Sequence, residues 1–173
     1  MRLGVTSISL ILAVAGLLAC AGVISVGPHT SAAQAQTAGP DGVPQVLPTE
    51  ALRIETARGP VKFHIMVAKT EEQRQIGLMF RREMAPDQGM IFDFFTPQPV
   101  AFWMHNTVLP LDIIFIDKTG RIINIAANAK PFDDTALPSD SPARAVLEIN
   151  GGMAARLGIH PGDLIRDEAV YHR

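Results

Sequence analysis

Residues 99–117 read PVAFWMHNTVLPLDIIFID, and this stretch decides how the chain is to be folded. Two apolar runs, Val100–Asn106 and Leu111–Asp117, flank an Asn-Thr step and Pro110. Alternation predicts a strand for each, because successive side chains of a strand point to opposite faces. In the first run Trp103 and His105 share one side, and Phe102, Met104 and Asn106 the other. In the second, Ile113 and Phe115 oppose Asp112, Ile114 and Ile116. Both faces of the second run are apolar, so it is expected to lie centrally in a sheet covered on both sides.

Working outward, Asp117-Lys118-Thr119-Gly120 is a tight turn, and Arg121–Ala126 is expected to return antiparallel. On the N-terminal side, Ala51–Ala57 and Val61–Val67 alternate around Arg58-Gly59-Pro60, the pattern of a hairpin. Thr70-Glu71-Glu72-Gln73 is a capping box, and the helix it opens is expected to reach about Phe80. Arg74, Gly77 and Arg81 would then share one helical face. Met90–Phe94 is a short apolar strand, which Pro97 and Pro99 are expected to end. Residues 127–142, with three prolines and three aspartates, form a long connection of the functional or mobile kind. Ala145–Ile149 is a further strand, Met153–Leu157 a short helix stopped by Gly158, and a last strand is expected near Leu164. The class is α+β: mostly antiparallel sheet with two short helices, for which a small barrel is one way to curl.

The chain has 173 residues and a net charge of -2, with no block of basic residues, so nothing points to nucleic acid. Leu3 to Gly27 contains no charged residue and follows a single Arg2. Ala33-Gln34-Ala35 fits a signal-peptidase site, so residues 1–35 are expected to be a signal peptide cleaved before Gln36. Two alternatives remain. Leu17-Leu18-Ala19-Cys20 resembles a lipobox, which would anchor the chain through a lipid on Cys20, and the apolar run could stay as an uncleaved membrane helix. All three put the protein in the periplasm, secreted or at a membrane surface, with the membrane touched only through that segment. Residues 36–49 are expected to be a flexible linker and 50–173 the domain. Cys20 is the only cysteine, so cleavage would leave neither a disulfide nor a thiol nucleophile.

Several motifs in order resemble one family. They are Gln75-Ile76-Gly77-Leu78-Met79-Phe80-Arg81, Gly89-Met90-Ile91-Phe92, Phe102-Trp103-Met104-His105-Asn106-Thr107 and Leu111-Asp112-Ile113-Ile114-Phe115. Val146-Leu147-Glu148 and Gly158–Asp163 extend the match, which covers roughly Leu52 to Ile165. The chain resembles the DUF192 family, a group of uncharacterised bacterial and archaeal domains. The resemblance implies a small, compact, mostly β domain that is often exported, and it implies no activity. Many members carry Lys where this chain has His105, so a role requiring the imidazole would not be a shared one.

Three kinds of chemistry suit the side chains. A pocket for a small anionic or carbohydrate ligand would use Arg74 and Arg81 for a carboxylate or phosphate, Trp103 for stacking, and Asn106, Asp112 and Glu148 as polar partners. Arg74 is expected to face Asp112 and Glu148. A hydrolase would instead use Asp112 and Glu148 as a carboxylate pair, which must stand a few Å apart. Soft-metal (copper) binding would draw on Trp103, Met104 and His105 with the other methionines, although strand alternation sends Met104 and His105 to opposite sides. Each residue also has a structural role open to it: arginines paired with acids, methionines filling the core, Asp112 accepting backbone hydrogen bonds. His64, His160 and His172 stand alone. No Gly-x-Ser-x-Gly, metal-protease or phosphate-loop motif is present. The expectation is a monomeric domain that is more a binding or accessory module for an unidentified small molecule than an enzyme, with no cofactor and no metal.

Overall fold

The structure, a computed structural model, describes residues 42–167, 170 and 171. The expected signal peptide, Cys20 and His172 lie outside them. Among the described residues no helix is long and apolar enough to cross a membrane.

The elements are β1 (Thr49–Thr56), β2 (Gly59–Ala68), α1 (Glu71–Ile76), β3 (Gln88–Gln98), β4 (Ala101–Phe102), β5 (Leu111–Ile116), β6 (Ile122–Ala129), β7 (Leu137–Pro138), β8 (Ala143–Asn150), α2 (Met153–Leu157) and β9 (Leu164–Arg166). Seven strands form one sheet in the order β6-β5-β8-β3-β2-β1-β9, while β4 and β7 pair separately. Neighbours run antiparallel except β2 and β3, which are parallel and joined across α1. The large sheet curls into a half-barrel, and a bridge from Arg121 to Leu164 brings its two outermost strands together at one end.

Curling gives the sheet two apolar faces. Leu52, Ile54, Phe63, Ile65, Ile91, Ile114, Ile116, Leu147 and Ile149 fill the concave side, where Met153 and Ala154 of α2 pack. Met90, Phe92, Ile113, Phe115 and Val146 lie on the convex side, beneath Leu47, Leu78, Met104 and Phe102. All six residues of β5 are buried, and β5 sits between β6 and β8. A strand covered on both faces has no solvent side to fill with polar residues, which is why LDIIFI carries so little alternation.

Four local expectations need correction. The run Val100–Asn106 is not a strand beyond Phe102. Asn106 takes a left-handed φ of 51°, and the Thr107 amide donates to the Met104 carbonyl across a turn, so the backbone leaves the extended region. Second, α1 stops at Ile76 instead of near Phe80, because Gly77 adopts φ 51° and ψ −132°, a region that only glycine enters without strain. A methyl group there would also stand 3.2 Å from the Phe92 ring. Third, the expected linker 36–49 is partly packed. Gln45 and Leu47 are buried, and the Gln45 amide donates to the Gln73 and Gly77 carbonyls at 2.9 and 2.8 Å. Those two bonds tie the segment to the end of α1, where the Gln73 carbonyl also accepts from the Gly77 amide. The strand after Gln88 also outlasts Pro97, through an irregularity between Asp93 and Gln98.

Candidate functional site

The convex side of the sheet is not fully covered. Between α1, the outer ends of β3 and β8, and the segment from Ala101 to Thr107 lies a pocket of about 570 Å³. Its position follows from the short helix. Thr70 and Gln73 exchange both hydrogen bonds of the capping box, so α1 starts firmly. Gly77 then turns the chain down, and Leu78 and Met79 reach the sheet one turn before a longer helix would allow. The walls are apolar: Ile76, Leu78, Phe92, Phe94 and Phe102. Phe102 meets Phe92 edge to face at 4.9 Å and Phe94 at 6.4 Å, the arrangement aromatic quadrupoles favour.

Glu148 also lines this pocket. It sits on β8 opposite Met90 on one side and Ile113 on the other, both in the convex apolar cluster. The residue is 4% exposed, and among the described residues its carboxyl has no hydrogen-bond or ion-pair partner. Burial away from water disfavours the charged form, and it pushes the Glu148 carboxyl up to about 8. A carboxyl in that state holds its proton at neutral pH and can donate it, accept, or release it to a charged partner.

Trp103 and Arg74 complete the rim. Trp103 is 59% exposed. Arg74 is committed within the fold: it donates to the Lys69 and Asp93 carbonyls at 2.7 and 3.0 Å and to Glu71 at 2.8 Å. That bond holds the Glu71 carboxyl below its ordinary range. The Arg74 guanidinium also lies over the Phe94 ring at 5.4 Å. Of the expected site residues, therefore, Arg74, Trp103 and Glu148 share one pocket.

The other three do not join them. Arg81 lies past the end of α1 and donates to the Gln45 carbonyl at 2.9 Å, so the expected common face with Arg74 does not exist. Asn106 forms the turn behind Trp103, its carbonyl accepting from Phe80. Asp112 points into the concave side, as its strand partner Ile149 does. There it accepts from the backbone amides of Asn128 at 2.8 Å, Gly152 at 2.9 Å and Ala154 at 2.8 Å. Asp112 thus pins α2 and β6 to β5, and the sheet itself separates it from Glu148. The two cannot act as a catalytic pair, and Arg74 does not face Asp112.

Met104 is buried while His105 is exposed and 2.9 Å from Asp134, so the two diverge as alternation required. Among the described residues no group of three or more His, Cys, Asp or Glu could hold a metal ion. A second, wider depression of about 1210 Å³ runs along β1, β2 and β9 past Arg53, Lys62 and Arg166, whose charges are exposed to solvent. The aromatic wall of the first pocket went unread in the sequence. Phe92 and Phe94 are two residues apart on one strand, which was signal enough for a shared face, but nothing local placed Phe102 against them.

The DUF192 family model, described as an uncharacterised ACR, matches residues 53–166. Two solved structures are similar. One is a protein of unknown function from Novosphingobium aromaticivorans DSM 12444, 45% identical, with 82% of this chain and 99% of that one covered and a TM-score of 0.68. The other, from Sinorhizobium meliloti 1021, is described as a proposed transcription regulator. It is 44% identical over 68% of this chain and 92% of that one, with a TM-score of 0.67. No curated protein matches this chain.

Proposed function

The chain belongs to the DUF192 family, and on that premise we propose that its domain is a binding module for a small organic molecule with a flat apolar part. The observation that carries this reading is Glu148: a buried carboxyl without a partner among the described residues, opening on a cavity whose volume of about 570 Å³ suits a small ligand. Burying such a group costs free energy unless something meets it. A ligand that brings a polar atom to Glu148 and lays its body on Phe102 would recover that cost. Trp103 then closes over the exposed side.

An anion is the weaker choice for this pocket, since the Arg74 donors are already given to Lys69, Asp93 and Glu71. A sugar could stack on Trp103, but the walls offer few donors for its hydroxyls. Binding is preferred to hydrolysis because, among the described residues, the other carboxylate lining the pocket is Glu71, which Arg74 engages at the rim. Trp103 is the only tryptophan, so its emission reports on the pocket directly. A panel of aromatic amines, alcohols, acids and sugars is to be screened by Trp103 emission and melting temperature. One chemical class is expected to change both; a panel that moves neither at millimolar concentration would remove the proposal.

A further inference from the structure

Resting on that pocket, we infer that its ligand is an organic cation, an ammonium group carried on an apolar body, and that Glu148 gives up its proton as the cation enters. The chemistry of the walls points this way. Phe92, Phe94, Phe102 and Trp103 all line the cavity, and an aromatic face carries negative potential that attracts a cation within about 6 Å of its centre. One ring already does so within the fold, since the Arg74 guanidinium sits 5.4 Å from the Phe94 centroid. Phe92 is buried beneath Phe102, so Phe102 and Trp103 remain for a ligand.

Glu148 supplies the counter-charge. An amide of the same shape would serve a neutral ligand equally well, without the penalty of a buried acid. What distinguishes the carboxyl is that it can ionise. Without ligand it stays protonated because nothing nearby stabilises the anion. Its strand neighbours are Met90 and Ile113. The charged groups facing the pocket are Glu71 and Arg74 of α1, and these two neutralise each other at 2.8 Å. The segment that carries Trp103 and Thr107 adds no charge to the pocket wall, His105 being turned outward to Asp134. When an ammonium arrives, the carboxyl oxygen loses its proton to solvent and the carboxylate pairs with the cation. The ligand keeps all its own bonds, and one proton leaves for each molecule bound.

The sign of the pH dependence separates the possible ligands. A cation gains affinity as pH rises, because the proton to be expelled is held less tightly. The gain is about fifty-fold between pH 6 and 8, and then it levels off. A neutral ligand shows no such slope, and an anion, which needs Glu148 protonated, shows the reverse.

The test uses three probes of one shape with the whole chain: benzyltrimethylammonium, benzyl alcohol and benzoate. Binding is followed by Trp103 emission and by calorimetry in buffers of different ionisation enthalpy. Benzyltrimethylammonium is expected to bind with release of close to one proton at pH 6.5 and to tighten with pH. In Glu148→Gln, which preserves shape and removes the titration, the slope should vanish and the affinity at pH 8 should fall at least tenfold. Binding of the cation without a pH slope, or with the slope intact in Glu148→Gln, would overturn the inference. Binding of benzyl alcohol alone, or of benzoate more tightly toward low pH, would overturn it too while leaving the pocket standing. Silence from all three probes would count against both the cation and the pocket.

Discussion

Two carboxyl groups lie buried on opposite faces of the same sheet, and they have opposite circumstances. Asp112 on β5 is 0% exposed and holds three backbone amides. Glu148 on β8, one strand away, is 4% exposed and among the described residues has no partner. Burial alone therefore says little about what an acid is for. The concave face is closed by α2, and Asp112 is the group that closes it, giving acceptors to amides that α2 and the end of β6 would otherwise leave bare. The convex face is left open by a helix of six residues, and Glu148 sits where the cover is missing. One acid completes the fold; the other waits for something the fold does not provide.

The largest expected effect comes from Asp112. Asp112→Ala leaves three amides, those of Asn128, Gly152 and Ala154, without their acceptor in the interior. Losing a buried network of this kind destabilises by roughly 3–5 kcal/mol, to be read from the urea midpoint. Asp112→Asn should lose less, because one oxygen still accepts. A fall below about 1 kcal/mol in Asp112→Ala would end the contrast, since Asp112 would then be as free of structural duty as Glu148.

Glu148 should respond in the other direction. Its carboxyl is pushed from 4.5 to about 8 by burial, so the folded protein keeps a proton that the unfolded chain has lost. Stability is fully present below pH 4.5, declines as pH rises across that window, and flattens above about 8. Glu148→Gln has no proton to lose. It should match the parent at pH 4.5 and exceed it progressively after that, by a few kcal/mol at pH 8, each unit of pKa shift being worth about 1.4 kcal/mol. Parallel stability curves for the two proteins between pH 4.5 and 8 would mean that Glu148 has a partner after all.

Much of this contrast lay within reach of the sequence, and the rest did not for identifiable reasons. The hairpin of β1 and β2, the capping box at Thr70, the buried run Leu111–Ile116 and the helix ended by Gly158 all follow from periods and punctuation within a dozen residues. Of the residues the sequence proposes for a pocket, Arg74, Trp103 and Glu148 line the same cavity. The pairing of Asp112 with Glu148 failed because it depends on register. Asp112 lies opposite Ile149 and Ile113 opposite Glu148, and a slip of one residue would have put the two acids on one face. No local pattern records that offset. Helical spacing sets Gly77 on one face with Arg74 and Arg81, whereas its φ of 51° makes it the end of α1, a backbone role invisible to a search for side-chain faces. The alternation over Val100–Asn106 is real, with Met104 buried and Trp103 and His105 exposed, yet it belongs to a turn. Alternation identifies which side chains face in, and a left-handed Asn106 was enough to deny it a strand.

Trp103 offers the smallest effect on stability and the finest division between the two faces. With 59% of its surface exposed and no role in the large sheet, Trp103→Ala should alter the unfolding free energy by only about 0.5 kcal/mol, the usual range for a surface change. Ligand affinity should fall tenfold or more, measured by calorimetry because the variant has lost its own fluorophore. An aromatic side chain left in solvent at the mouth of an apolar cavity contributes little to a molecule that is already folded. It contributes most when a second flat surface lies against it. A variant that unfolds easily while binding normally would invert this assignment and make Trp103 part of the cover over Met104, not of the pocket beneath it.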